Sequence, residues 1–375
     1  MAGIYVHIPF CKQACHYCDF HFSTNQSQQT QMVNSILKEI VLQKKYLTEP
    51  IETIYFGGGT PSMLNDKELQ SILEVIHSSF DTTHCKEITL EANPDDLSSE
   101  QLTLLANAGV NRLSIGMQSF DDDVLKFLNR AHTSKESIKV LEEINASKFS
   151  NVSVDLIYGI PDRNHDQWRN DIKRLLSYAP QHISAYCLTI EPNTAFGNWA
   201  KKGKLKPVSE DFAAEQFEIL VSELTKSGYE HYEISNFCLP GFESLHNSSY
   251  WRQKPYLGVG PSAHSYNLVS RQRNISNNLK YIKAIEEGVL PAFIERLSDI
   301  DKANDYLLTS LRTKWGVDLD RFNLTERLDF NYIEHLVSTN RLIRKDNKIY
   351  LTQEGKLVAD QITEDLFIIN NDDDY

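Results

Sequence analysis

Six short runs of apolar and β-branched residues, at 4–8, 53–56, 87–90, 112–115, 152–157 and 182–188, alternate with longer stretches of helical periodicity. No other feature constrains the fold as strongly, because parallel strands need long crossovers and helices supply them. Between the runs, Val33, Ile36, Leu37, Ile40 and Val41 form one helical stripe within 31–46, and Leu69, Ile72, Leu73 and Ile76 another within 67–80. Further helices are predicted at 99–107, 121–129, 135–146, 166–178 and 210–227. The expected class is α/β, a partial (β/α)6 barrel of TIM type, with a doubly wound open sheet as the alternative. In either case chemistry belongs at the C-terminal ends of the strands.

Past about Gly228 the rhythm changes. The spacing predicts a strand over 229–235, which closes a barrel core at 1–235. A loop-rich, aromatic connecting segment is expected at 236–300, and a small C-terminal α+β domain at 301–375. In that last part helices at 303–313 and 330–338 precede a hairpin over 342–351, turning at Asp346-Asn347, and a final helix at 353–362. The order is winged-helix-like. Such folds often bind DNA, but a net charge of −13 and the acidic end from Asp365 to Tyr375 argue against gripping phosphates. A docking or covering role is expected, with no nucleic-acid partner.

The start of the chain shows neither a basic leader nor a long apolar run, and no later stretch reaches the ~18 apolar residues of a spanning helix. A cytoplasmic protein is expected, free or peripheral at a membrane. Thiols stay reduced there, so six cysteines do not read as a disulfide framework.

Three of the six crowd together as Cys11, Cys15 and Cys18, directly after the first predicted strand. Soft thiolates suit an iron–sulfur cluster or zinc, and His16 or His21 could complete a zinc site. The second strand runs into Gly57-Gly58-Gly59-Thr60-Pro61, where absent side chains allow either a tight turn or close approach to a ligand. Glu91, Gln118 and Asp155 accompany the next three strands, and Asp155 stands among apolar neighbours, where a carboxylate must be paired. Arg130 offers a planar fork for a carboxylate, or is a solvated cation at a helix end. His246, in His246-Asn247-Ser248-Ser249-Tyr250-Trp251, is either an axial ligand for haem iron flanked by covering aromatics or an anchor of its loop against the barrel mouth. His264 is a second candidate ligand, and Cys238 lies eight residues before His246.

The C-x3-C-x2-C spacing, with Tyr17 before the last cysteine, resembles the cluster motif of the radical-SAM enzymes. The resemblance implies a [4Fe-4S] cluster on Cys11, Cys15 and Cys18, with its fourth iron open to S-adenosylmethionine. It also implies that Gly58, Gly59 and Thr60 meet the amino group of that cofactor. Tyr5-Val6-His7-Ile8-Pro9-Phe10-Cys11, Gln118-Ser119-Phe120 and Asp155-Leu156-Ile157-Tyr158-Gly159-Ile160-Pro161 are similar to one branch, the oxygen-independent coproporphyrinogen-oxidase-like proteins. By that similarity Tyr5, Gly58, Gly59, Thr60, Glu91, Gln118, Arg130 and Asp155 surround S-adenosylmethionine.

Within the branch, true coproporphyrinogen dehydrogenases carry a fourth cysteine where Phe20 stands here, and an extension ahead of the residue matching Tyr5. The His246 to Trp251 segment instead resembles the H-N-x-x-Y-W motif of a haem-chaperone subgroup, which implies a haem site at His246, Tyr250 and Trp251. The implied function is a haem chaperone. Haem would be its cargo and haemoproteins, membrane-bound ones included, the recipients. The alternative is an oxygen-independent coproporphyrinogen III dehydrogenase of haem biosynthesis.

Overall fold

Alternation within each strand builds the architecture. The computed structural model describes residues 1–161 and 164–369, so the acidic end at 370–375 lies outside the described residues. In β1 (Ala2–Ile8), Ile4, Val6 and Ile8 join the main apolar core, whereas Gly3, Tyr5 and His7 project to the opposite face. The same division runs through β2 (Ile51–Gly58), β3 (Glu87–Ala92), β4 (Arg112–Gln118), β5 (Val152–Tyr158) and β6 (His182–Cys187). Ile54, Phe56, Leu90, Leu113, Ile115, Val154, Leu156, Ile183 and Ala185 enter the core. Thr53, Tyr55, Glu91, Arg112, Ser114, Asp155, His182 and Ser184 alternate with them and stay out of it.

These strands pair in parallel in chain order. Right-handed crossovers without a reversal keep the helices on one face, whereas a doubly wound sheet reverses at a switch point. The open-sheet alternative is thereby excluded. The sheet instead curls as a partial barrel, helices outside and the polar face inside. The helices form where their stripes predicted: Gln29–Leu42 buries Met32, Val33, Ile36 and Ile40, although Val41 is exposed. Helix Asp66–Ser79 buries Leu69, Ile72, Leu73 and Ile76 and starts with a reciprocal Asn65–Glu68 capping box.

The stretch expected to be loop-rich is regular. After β7 (Glu230–Glu233), β8 (Asn236–Cys238) pairs antiparallel with β6. Helix Leu245–Trp251 follows, then β9 (Tyr256–Val259), β10 (His264–Tyr266), β11 (Ser270–Asn274) and β12 (Ala292–Arg296). β9 lies parallel to β1, so these strands extend the barrel sheet beyond its first strand. Helix Asp299–Leu311, β13 (Val317–Asp318), helices Leu324–Arg327 and Phe330–Ser338, β14 (Leu342–Lys345) and β15 (Lys348–Leu351) then give the winged-helix order around a separate core. The hairpin turns at Asp346, whose φ is 54°. Arg344, a cation of the hairpin, pairs with Glu334 and lies over Phe330. No helix among the described residues is long and apolar enough to cross a membrane.

One buried carboxylate joins the extension to the barrel. Glu39, on helix Gln29–Leu42 and 0% exposed, accepts from the Gly260 N–H (2.8 Å), the Asn274 amide (2.7 Å) and the Tyr281 hydroxyl. Burial raises its pKa, and the donors oppose that shift. The Gln43 amide donates to Glu39 as well (3.1 Å), so truncation strands buried donors and Glu39→Ala should cost about 1–3 kcal/mol or more. Unfolding monitored by circular dichroism should show the lower midpoint, with Glu39→Gln losing less.

Candidate functional site

The three cysteines ride one loop that leaves the C-terminal end of β1 and is held from two sides. Lys12 pairs with Asp95 (2.8 Å) and Asp96 in the loop after β3. On the other side, the Gln13 amide donates to Asn129 Oδ1 (2.8 Å), the Asn129 amide to the Ala14 carbonyl (2.7 Å), and the His16 N–H to the Leu128 carbonyl (3.1 Å). His16 Nδ1 bonds the Phe127 carbonyl (2.9 Å) and its ring packs on Trp199, while His21 bonds Asn278. Both histidines considered for zinc thus have structural partners. Cys11, Cys15 and Cys18 are free thiols, each half-buried. Burial raises the Cys11 thiol and pushes Cys18 up to about 12, so ionising them calls for a cationic partner. Among the described residues, no group of three or more His, Cys, Asp or Glu converges on one ion.

The glycine run lies against the base of that loop. The N–H groups of Gly59 and Thr60 donate to the carbonyls of Ile8 (2.9 Å) and Phe10 (2.7 Å). A Cβ on Gly59 would stand 2.6 Å from the Phe10 oxygen and 2.7 Å from that of Ile8, so only glycine fits this crossing. Gly58, at φ 105°, donates to Glu91 Oε2 (3.2 Å). With these N–H groups committed, the run presents acceptors rather than donors to a ligand. Glu91 also accepts from the Tyr55 hydroxyl (2.7 Å), and burial, reinforced by Asp155, pushes its carboxyl up to about 7.

Arg130 closes the next side. It donates to Asn93 Oδ1 (2.6 Å), the Gly116 carbonyl (2.8 Å), Cys15 Sγ (3.4 Å) and the Tyr17 hydroxyl (3.4 Å), while its buried Nε has no partner. Its expectation as a solvated cation fails. Gln118 ends β4 beside a register shift with φ 66°, a strained backbone for a non-glycine residue and of the kind that gathers at functional sites. Asp155 sits mid-strand in β5, deeper than the strand ends, within reach of the Ser114 (3.3 Å) and Ser153 (3.4 Å) hydroxyls, and burial raises its pKa. Arg112, 1% exposed at the start of β4, has Nε and Nη1 unpartnered. Sequence reasoning missed Arg112 and Asn93. Asn93 carried a signal, two residues beyond Glu91 at a strand end, but nothing around Arg112 marks it.

The structure places His246 1% exposed, near the N-terminal ends of the strands rather than the mouth, with Nδ1 bonded to Thr53 Oγ1 (2.8 Å) and Nε2 to the Tyr250 hydroxyl (2.7 Å). Its ring stacks on Tyr55 at 4.9 Å, and burial lowers its pKa to about 3. Both ring nitrogens are occupied, so in this arrangement it anchors and does not ligate. Glu87 fixes its helix by accepting the N–H groups of Leu245 (2.9 Å) and His246 (3.0 Å). Trp251 is half-buried with its indole N–H unpartnered, and Cys238 is buried. Tyr250 differs, because it lines a cavity of about 560 Å3 on the flank of the barrel, shared with Tyr5, His7, Phe20 and His264. A larger polar cleft of about 1100 Å3 around Asp121, Asp171 and Arg174 contains none of the expected site residues.

Comparison with known proteins matches residues 5–175 to the Radical SAM superfamily. The chain is 34% identical to the heme chaperone HemW of Lactococcus lactis, over 96% of this chain and 96% of that protein. It is also 34% identical to the heme chaperone HemW of Bacillus subtilis, over 96% and 98%. Among solved structures, coproporphyrinogen III oxidase (HemN) from Escherichia coli superposes with a TM-score of 0.83 at 22% identity, covering 98% of this chain and 90% of that one, a likeness of fold. On this evidence the chain belongs to the HemW family within the radical SAM superfamily.

Proposed function

We propose that this protein is a haem chaperone, binding haem and delivering it to haemoproteins while carrying a [4Fe-4S] cluster and S-adenosylmethionine. The near full-length identity with heme chaperones carries the reading. Phe20, in place of a fourth cysteine, supports it over porphyrinogen decarboxylation. Membership of the superfamily brings the cluster and S-adenosylmethionine.

The residues present fit both groups. Cys11, Cys15 and Cys18 would hold three irons, one thiolate each, which spreads the thiols wider than ligands of a single ion. The cluster supplies an open iron and a one-electron couple when bound. The acceptors of Gly58, Gly59 and Thr60 suit an ammonium group, and the unpartnered Nε of Arg130 suits a carboxylate. Glu91, held half-neutral by burial, gains from a nearby cation, and Asp155 can accept from ribose hydroxyls. Tyr5, stacked on Tyr55 at 6.1 Å, and Gln118 complete the walls. For haem, Tyr250 supplies a wall of the flank cavity, His246 holds the Tyr250 hydroxyl in place, and Trp251 backs the same helix.

Anaerobic purification should yield a brown protein with about four irons per chain. Cys15→Ala should lose the colour and nearly all the iron, while a zinc-loaded wild type without iron–sulfur absorption would remove the cluster assignment. In a strain lacking its oxygen-independent coproporphyrinogen dehydrogenase, expression of this chain should leave porphyrin synthesis blocked; restored growth would favour the dehydrogenase instead.

Glu91 gives a pH test. Its folded pKa near 7 exceeds the ordinary 4.5, so its contribution to apoprotein stability is full below about 4.5 and is lost as pH rises through 7. Urea midpoints of the apoprotein at about pH 5 and about pH 8 should show that fall. The Glu91→Gln variant should show a shallower one.

A further inference from the structure

We propose that haem seats in the flank cavity between the cysteine loop, β9–β10 and helix Asp299–Leu311, with His264 as its iron ligand. This assignment rests on the chaperone reading and goes beyond it by naming the pocket and the ligand.

The cavity, at about 560 Å3, falls within the ~300–1,000 Å3 of small-molecule and cofactor sites. Its walls are aromatic: Tyr5, Tyr250, Tyr256 and Tyr266 line it. Phe20, 69% exposed, and Leu308, 41% exposed, add apolar surface without cover of their own. Flat rings of this kind suit a flat macrocycle. Of the lining residues, Ser262 holds left-handed backbone at φ 65°, whereas Gln253 at φ 53° is the left-handed cap that ends helix Leu245–Trp251. Lys254 and Arg271 also line the cavity, paired with Glu52 and Asp305 respectively, and can share those partners with the carboxylates at one edge of a haem.

Three histidines line the space, and their hydrogen bonds separate them. His7 bonds the Tyr5 hydroxyl through Nδ1 (3.2 Å) and the His21 carbonyl through Nε2 (2.9 Å). His21 bonds Asn278 Oδ1 through Nε2 (2.7 Å). His264 is exposed at the start of β10 and forms no side-chain hydrogen bond with any described residue. Partial burial, together with Arg273 and Arg271, lowers its pKa, which keeps the imidazole in the neutral form that binds iron. The ligand therefore stands on a strand of the sheet extension, and the macrocycle lies against the loop that carries the cluster cysteines. Placement on an open flank also leaves a route for release, as a carrier needs.

The test uses full-length protein with its cluster and S-adenosylmethionine bound, titrated with haem and followed by absorbance. Wild type should develop a Soret band. His264→Ala should shift that band and weaken binding by about tenfold or more, with added imidazole restoring the wild-type spectrum, and with iron content and S-adenosylmethionine affinity unchanged. Leu308→Trp, which fills the cavity from helix Asp299–Leu311, should also weaken binding while leaving His264 in place. A wild-type Soret band and affinity in both variants would overturn the pocket and the ligand but leave the chaperone reading standing. A wild type that takes up no haem would overturn both.

Discussion

A sheet wound in one direction covers only one of its faces with helices, and the rest of this molecule follows from what is done with the other face. In a filled barrel that inner face carries bulky branched residues. Here it carries Tyr5, His7, Thr53, Tyr55, Glu91, Arg112, Asp155 and His182. Burying such groups costs free energy unless each finds a partner. Hydroxyls cover much of the cost: Tyr55 donates to Glu91, Ser114 and Ser153 reach Asp155, and His182 is held between Ser153 and Tyr232. Charges remain only partly balanced, because Arg112 lies within electrostatic reach of Glu91 and Asp155 without touching either. A polar interior left in that condition is preorganised for a charged, hydroxyl-rich ligand.

The same logic explains why the cysteine loop needs glycines from a different strand. Gly59 matters because the Ile8 and Phe10 carbonyls cross at a distance no Cβ would allow, so the end of β2 and the base of the loop form one rigid unit. Asn129, at φ 57°, does the corresponding work on the far side by bonding Gln13 and Ala14. The loop thus spans the mouth between two fixed rims. Arg130, next to Asn129, reaches Cys15, Asn93 and Gly116 together, which fastens the cysteines to the ends of β3 and β4.

Much of this was legible in the chain. The six strands begin and end within a few residues of the apolar runs, because period-two alternation and helical stripes are local properties. The cysteine and glycine motifs fall at strand ends for the same reason. What was not legible depends on distant partners. The strands β8 to β12 are three to five residues long, and β9 and β11 are held by Glu39, more than 220 residues away. His246 looks like a ligand beside two aromatics, but its partner Thr53 lies 193 residues earlier, and nothing local announces that bond. Asp155, by contrast, was read within its apolar run and does sit mid-strand, because a carboxylate between apolar neighbours is a local signal.

That hidden bond also shows what His246 does within its segment. His246 stands between two walls: on one side its ring stacks on Tyr55, whose hydroxyl holds Glu91, and on the other its Nε2 holds Tyr250, which faces the flank cavity. His246 thus packs between the Glu91 side of the barrel interior and the flank cavity. Gly3 permits this, since a Cβ there would press on the His246 ring at 3.2 Å. A polar residue that locks two aromatic rings in place sets the shape of the surface on both sides of it at once. The i, i+4 spacing of His246 and Tyr250 follows from that geometry, since one turn of helix brings the ring within 2.7 Å of the hydroxyl.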